Sequence, residues 1–475
     1  MPRRRVRAIT VTACSVALLA AGTAGASPAS ARAQDHQRLA PRTHFVMAPD
    51  GSSGQRAQGA AIPNIDSVKK TIRAYYGAGD AGTANPTTSP YISEMRSIVA
   101  QQGRYLDRAK QAAKRHHQRP AIVFDADDTT LWTYDMEDAA MHFNFDSALQ
   151  NTWVQEQKFP ATPSMVEFVN RAARMGFAIF GITGRTDTQE EATVANLAKV
   201  GYTPFNAQNF YTKWSGTIPQ PKYVTCAAKC TTVEYKAGTR RHIEKDLGYD
   251  IVLNVGDQWS DLQGGYADKV LKLPNPTYNL PSTDLDGNPA DRAFSPRSRF
   301  TMQPDGSSGA TEGGEGIPNI DIVKTTIRSY YKATSGIADK VDSPYIREMA
   351  RITGRLTPQL VSACRTADRK RQDPVVVLDA DDTTLWTYDM EDADMHFNFD
   401  PVLQDSWVQN QKFPGTPSMV ALTKAVDSAG CTLVGLTGRN DDQKAATLGN
   451  LAKVGYTGFT AENYYTKWTG KAGST

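Results

Sequence analysis

The stretch Asp125-Ala126-Asp127-Asp128-Thr129-Thr130 returns unchanged 254 residues later as Asp379-Ala380-Asp381-Asp382-Thr383-Thr384. Each follows a short apolar run, Ala121-Ile122-Val123-Phe124 in one case and Val375-Val376-Val377-Leu378 in the other. Pro49-Asp50-Gly51-Ser52-Ser53-Gly54 recurs at 304–309, Ile62-Pro63-Asn64-Ile65-Asp66 at 317–321, and Tyr211-Thr212-Lys213-Trp214 at 465–468. Between 125 and 160 the copies differ at six positions in thirty-six. A period this long predicts tandem domains rather than a solenoid of short repeats. The first copy runs on for about sixty residues past Tyr-Thr-Lys-Trp, whereas the second stops soon after it.

Within the first copy, apolar strands alternate with helical spacing, which predicts an α/β fold: a Rossmann-like parallel sheet flanked by helices. Helical spacing covers 68–76, and Ser89-Pro90 opens a longer helix toward Lys114, with serine as cap and proline at the first position. A buried strand over 121–124 follows, then an aromatic and acidic stretch over 132–159 without clean periodicity, read as a small helical cap insertion. Thr162-Pro163 starts a helix with Val166, Val169 and Ala173 on one face, ended by Gly176. A second strand, 177–182, delivers Thr183-Gly184-Arg185, and Asp187 caps a helix ending near Lys199. A helix over 234–246 and a strand over 251–255 lead to Gly256-Asp257-Gln258-Trp259-Ser260-Asp261. Residues 274–298, rich in proline, asparagine and aspartate, lead toward the second copy.

The expected organisation is a signal peptide over 1–33, a flexible segment over 34–61, a complete domain over 62–281, a link over 282–316 and an incomplete second copy over 317–475. Arg3, Arg4, Arg5 and Arg7 precede the apolar run 9–21, and small residues around 24–33 offer cleavage sites. That run is too short to favour a membrane span. Removing residues 1–33 takes away five arginines and no acid, so the formal charge moves from +3 to −2. A near-neutral mature chain gives no electrostatic case for nucleic acid or an anionic membrane. Secretion, with no membrane partner after cleavage, is the expectation.

Cys226 and Cys230, spaced C-x-x-x-C, could form a local disulfide outside the cell; two free thiols or half a metal site are the alternatives. Cys431 sits in an apolar strand at the position of Phe177 and reads as core; Cys364 carries no signal.

The acidic cluster is the chemically loaded element. Adjacent carboxylates repel, and burial would raise their pKa values above about 3.9, so they stay ionised together only with a cation or strong donors among them. The C-terminal ends of parallel strands are also where open α/β sheets bind ligands. Asp125/Asp127, Thr183-Gly184, Lys236 and Asp257/Asp261 all fall at strand ends or helix starts of one domain. A hydroxyl with nearby backbone N–H groups, a fixed lysine charge and hard oxygen ligands suit a phosphoryl group and Mg²⁺. Singly, each signal has a plain reading: a turn, a solvated lysine, a loop. Their order and placement make the case.

This constellation resembles the haloacid dehalogenase-like superfamily of phosphohydrolases. Phe124-Asp125-Ala126-Asp127-Asp128-Thr129, Tyr235-Lys236 and Gly256-Asp257-Gln258-Trp259-Ser260-Asp261 look like the secreted acid phosphatases of class B and plant type. The resemblance covers roughly 62–281 and again 317 to about 471. It implies a Mg²⁺-dependent phosphomonoesterase acting on a small-molecule phosphate monoester, with Asp125 as nucleophile and Asp127 as general acid and base. It also implies metal ligation by Asp125, Asp127 (through its carbonyl) and Asp257, with Asp261 a ligand through water or a group behind the ligands, and phosphate binding by Thr183, Gly184 and Lys236. Arg185 is a further phosphate candidate, or a salt bridge on the sheet edge. Nucleotidase or phosphotransferase activity on the same scaffold, or a non-catalytic storage or binding role, are the alternatives.

Trp132, Tyr134, Phe143, Phe145 and Trp153 could stack on a leaving group, but packing of the cap explains them equally well. Asp135, Glu137 and Asp138 read as a solvated acidic loop, and His116, His117 and His142 as structural or solvated. The second copy keeps Asp379, Asp381, Thr437 and Arg439 but has no counterparts of Lys236, Asp257 or Asp261 within this sequence. It is therefore expected to be inactive alone. Its strand 375–378 is expected to be an open edge, able to pair with another chain in a homo-oligomer.

Overall fold

The computed structural model describes the backbone of residues 8–10, and residues 62–226, 230–282 and 317–470. The leader, the segment 34–61 and the link between the copies lie outside the described residues, apart from 8–10 and residue 282. The chain forms two compact units, one spanning Ile65–Lys324 and the other taking in Thr325–Thr475 with the N-terminal residues.

Among the described residues nine strands follow in chain order: β1 (Ala8–Thr10), β2 (Pro120–Phe124), β3 (Ala178–Thr186), β4 (Phe210–Lys213), β5 (Asp250–Gly256), β6 (Val270–Lys272), β7 (Val375–Leu378), β8 (Thr432–Asn440) and β9 (Tyr464–Lys467). In the first unit all pairings are parallel, in the order β4-β3-β2-β5-β6. The chain moves from β2 outward to β3 and β4, then returns to place β5 on the other side of β2. The reversal opens a crevice between the C-terminal ends of β2 and β5, where such sheets bind ligands.

β2 is buried along its whole length, as expected of a central strand covered on both faces. Ala121 and Val123 join Phe180, Ile182, Tyr235 and Ile243 beneath the helix Thr232–Lys245. Phe124 points the other way and meets Phe168 edge to face, with ring centroids 6.0 Å apart. The helix Pro90–Arg115 starts where the sequence places it, with Ser89 Oγ accepting from the Ile92 N–H at 3.2 Å. Thr231 and Glu234 form a reciprocal cap on the helix Thr232–Lys245.

Several local expectations need correction. The helix Met165–Arg174 buries Met165, Phe168, Val169 and Ala172; of the expected face only Val169 is buried, and Val166 and Ala173 are half-buried. Asp187 is the first residue of a 3-10 turn capped by Thr186, and its carboxylate accepts from Ser215 and Thr217 instead. β3 extends through Thr186 with a register break after Ile182. β4 and β6 are too short and too polar to show a strand period.

The cap insertion is a π-helical turn (Met136–Ala140) and a helix (Ser147–Gln155). Its acidic stretch is not solvated. Asp138 is buried, receives Arg73 through Nε (2.9 Å) and Nη2 (2.8 Å), and accepts from Tyr134 Oη at 2.7 Å. Tyr134 stacks on Tyr76 at 4.0 Å and Trp132 on Tyr91 at 5.4 Å, so these rings pack the cap against the N-terminal helices. Phe145 alone among the five aromatics is largely exposed, at 70%.

The second unit has the parallel order β1-β7-β8-β9. In the chain that still carries its leader, the edge of β7 is covered, and removal of residues 1–33 would open it again. Ala8, Ile9 and Thr10 pair with Val375, Val376 and Val377, because unpaired strand N–H and C=O groups recruit an extended segment. What stays bare is a face. Leu436 is 57% exposed where Ile182 in the first repeat is 2% exposed, and among the described residues no helix covers it as Thr232–Lys245 covers Ile182. Among the described residues the cysteines form two bridges: Cys226–Cys230, the first of the three alternatives given for that pair, and Cys364–Cys431, which ties the helix Pro344–Arg369 to the residue before β8. Among the described residues no helix is long and apolar enough to cross a membrane.

Candidate active site

Asp125 is the first residue after β2 and only 6% exposed; its N–H donates to Val255 O at 3.1 Å, which ties it to the end of β5. Asp257 follows Gly256 at the end of β5, and Asp261 reaches back from the next turn. Their carboxylates form a group of buried oxygens all within 4.8 Å of one another. Gly256 makes that approach feasible: a Cβ there would lie 2.3 Å from Asp261 Cβ and 2.5 Å from its Oδ2.

Lys236, on the helix Thr232–Lys245, places its ammonium 2.7 Å from Asp125 Oδ1 and 2.6 Å from Asp261 Oδ1. The other Asp261 oxygen accepts from the Gln258 N–H at 2.8 Å. Asp257 Oδ2 accepts from Asn275 Nδ2 (2.7 Å), Gln258 Nε2 (2.8 Å) and Tyr278 Oη (3.0 Å), while its Oδ1 meets only Thr129 Oγ1, at 3.4 Å. One Asp257 oxygen is thus held and the other faces the cluster. Asn275 and Tyr278 were not foreseeable: they lie in the stretch read as the approach to the linker, and only the fold brings them back.

Asp127 is partly open, with its carboxylate gripped by Arg185 through Nη2 (2.6 Å) and Nε (3.1 Å). Arg185 is itself fixed by Thr193 Oγ1 at 3.0 Å and by the Phe159 ring at 4.8 Å. Arg185 is thus in an ion pair with the expected general acid, at the end of β3, which lies inside the sheet and not at its edge. Thr183 is buried two residues beyond Gly181, the register partner of Phe124, with Gly184 exposed next to it. Asp128 turns away in a left-handed conformation (φ 47°), and its carboxylate accepts from Thr133 N–H and Oγ1 at 3.0 and 2.6 Å.

The electrostatics fit a cation. Burial pushes Asp125 well above the carboxylate range, with Lys236 opposing and Asp261, Asp257 and Asp127 adding to the rise. Burial, then Asp261, raises Asp257 to about 6. Burial, then Asp257, raises Asp128 to about 8. For Lys236, burial favours the neutral form, but Asp125 and Asp261 outweigh it and keep the ammonium charged. One lysine against three clustered carboxylates leaves an excess of negative charge, and an all-oxygen donor set of this kind suits a hard divalent cation.

The sequence matches the HAD superfamily, subfamily IIIB (acid phosphatase), over residues 81–281 and again over 332–471. The chain belongs to that family. It is 33% identical over 168 residues to the stem 28 kDa glycoprotein of Glycine max, covering 34% of this chain and 61% of that protein. It is 30% identical over 174 residues to vegetative storage protein 1 of Arabidopsis thaliana, covering 34% and 59%. To acid phosphatase 1 of Solanum lycopersicum it is 29% identical over 193 residues, covering 40% and 69%. The chain thus spans about three fifths of the length of the first two relatives.

In the second unit Asp381 is paired with Arg439 at 2.6 Å, Asp382 with Thr387 Oγ1 at 2.7 Å, and Thr437 Oγ1 accepts from the Arg439 N–H at 3.2 Å. The local geometry of the strand end is therefore repeated. Asp379 Oδ1, however, accepts from the Ala380 N–H at 2.6 Å. Among the described residues, Asp125, Asp257 and Asp261 form the one group of carboxylates, histidines or cysteines arranged to hold a metal ion.

Proposed function

We propose that this chain is a secreted phosphomonoesterase of the acid phosphatase type, working through the first repeat. The observation that carries the reading is the bridge of Lys236 between Asp125 and Asp261, with Asp257 in the same buried carboxylate group at the β2/β5 crevice.

Lys236 holds Asp125 Oδ1, which leaves Oδ2 as the attacking oxygen. As Oδ2 bonds to phosphorus, the ester P–O bond breaks, and a protonated Asp127 gives its proton to the departing alkoxide. In the second step the ionised Asp127 takes a proton from water. The resulting hydroxide attacks phosphorus, the bond to Asp125 breaks, and inorganic phosphate leaves. The grip of Arg185 on Asp127 suits this second step, because it holds the ionised carboxylate in one orientation. Thr183 and the adjoining Gly184 backbone would hold phosphoryl oxygens, with Lys236 supplying a fixed charge. Asp125, Asp257 and the Asp127 carbonyl would hold Mg²⁺, with Asp261, whose oxygens take Lys236 and the Gln258 N–H, acting on it through water. When bound, that ion neutralises phosphoryl oxygens that five neighbouring aspartates would otherwise repel.

The two disulfides fit an oxidising compartment, in line with the leader read from the sequence. A storage role is the second reading, favoured by the likeness to vegetative storage protein 1, and it suits the second repeat better than the first. Release of phosphate from p-nitrophenyl phosphate and from nucleoside monophosphates, with and without EDTA, beside Asp125→Asn, tests the proposal. Full activity in Asp125→Asn would end the covalent mechanism.

A further inference from the structure

The words Ile-Pro-Asn-Ile-Asp open both repeats, yet they meet different surroundings. Asn64 and Ile65 are half-buried; Asn319 and Ile320 are buried, at 2% and 0% exposure. Residues up to Lys324 belong to the compact unit of the first repeat, although in sequence they begin the second.

Their contacts fall on the loop that carries Asn275 and Tyr278 and on a turn of the cap insertion. On one side, Asn319 Nδ2 donates to Tyr278 O (2.7 Å) and Asn275 O (3.2 Å), the Ile320 N–H donates to Pro276 O (2.9 Å), and Asp321 Oδ2 accepts from the Asn279 N–H (3.1 Å). Residues 275–279 are thereby held along their length. This is the segment whose Asn275 and Tyr278 side chains donate to Asp257 Oδ2. On the other side, Lys324 Nζ donates to Phe143 O and to Asn144 Oδ1 (3.2 Å), in the turn of the cap where His142 and Phe143 are both left-handed (φ 49° and 59°). Asn319 Oδ1 accepts from the Asp321 N–H at 3.0 Å and so starts the helix Ile320–Tyr331 that carries Lys324.

We infer that residues 319–324 form a positioning strap for the first repeat's site: Asn319 sets the loop that orients Asp257, and Lys324 pins the cap. The inference rests on the phosphatase reading of that site and gives the second repeat a role that needs no catalysis of its own. Partners that orient a metal ligand typically change metal affinity by 10- to 100-fold when removed. Asn319 acts one step further out, so the effect expected is about tenfold, the low end of that range.

The test uses the full chain. Asn319→Asp keeps the oxygen that caps the helix and loses the N–H donors to Asn275 O and Tyr278 O. Its expected result is Mg²⁺ binding about tenfold weaker by isothermal titration calorimetry and faster amide exchange across 275–280, with kcat at saturating Mg²⁺ within about twofold of wild type. Lys324→Met is expected to leave Mg²⁺ affinity unchanged, raise KM for p-nitrophenyl phosphate and speed exchange at 143–145. Asp321→Asn, which weakens only the Asn279 contact, supplies the exchange readout should Asn319→Asp fail to fold. Wild-type exchange and Mg²⁺ affinity in folded Asn319→Asp would overturn the strap. A wild-type chain that binds no Mg²⁺ and releases no phosphate would overturn the phosphatase reading, while exchange at 275–280 would still decide the strap.

Discussion

Replacing Lys236 by methionine removes one ammonium from between two buried carboxylates, at 2.7 and 2.6 Å, without changing the bulk of the side chain much. Lys236 is 3% exposed, so solvent cannot substitute for it. Removing one partner of a buried ion pair costs about 3–5 kcal/mol, because the surviving charge is left uncompensated. Here two carboxylates lose the same partner, but Asp125, already raised above the carboxylate range, can take up a proton once the ammonium is gone. The expected loss for the metal-free protein at pH 7.5 is thus at the lower end of that range, about 3–4 kcal/mol. Adding Asp261→Asn removes one surviving charge and should recover about 1–3 kcal/mol, the scale of coupling between residues in contact. Urea unfolding in EDTA reads both numbers, and phosphate release should fall at least ~100-fold in either variant, as when a fixed oxyanion donor is lost. A single variant that loses less than about 1 kcal/mol, or a double variant no better than the single, would show that the bridge carries no such energy.

Three further outcomes follow from the same geometry. Asp125 and Asp257 have folded pKa values above the unfolded carboxylate value of about 3.9, so the metal-free fold binds protons more tightly than the unfolded chain and loses stability as pH rises through about 6. Mg²⁺ at 100 times its Kd should therefore raise Tm by about 5–10 °C at pH 7.5, from about 2.7 kcal/mol of linkage, and by clearly less at pH 5 in scanning calorimetry. Gly256→Ala drives a methyl into Asp261, and should cost about 1–3 kcal/mol in denaturant unfolding and about 100-fold in kcat/KM through misplacement of the cluster. Leu436→Lys, on the bare face of the second repeat, should leave stability within about 0.5 kcal/mol and lower light scattering at high protein concentration.

The strand-end chemistry was legible because its signal is local. An apolar run followed by Asp125-Ala126-Asp127, or by Gly256-Asp257, carries both the strand and the cluster in a dozen residues. The cap Ser89 and the terminators around Gly176 read well for the same reason. What stayed hidden depends on distant partners. Asp138 looked solvated because Arg73, 65 residues away, cannot be paired with it by spacing. Cys364 looked silent until the fold set it against Cys431, 67 residues on. Asn275 and Tyr278 sit in a stretch whose composition is that of a linker, and only the return of the chain over β5 gives them Asp257. The free edge foreseen at β7 is filled by residues 8–10, inside the stretch read as a cleaved leader, so the expectation for the processed chain stands apart from the pairing seen in the full chain.

Calorimetric titration of Mg²⁺ into the metal-free chain, beside Asp257→Asn, tests most directly whether the carboxylate crevice is a divalent-ion site. One saturable site in the wild type, weakened at least ~10-fold by the substitution, is the predicted result. Absence of saturable uptake by the folded wild-type chain, or equal affinity in the variant, would contradict it.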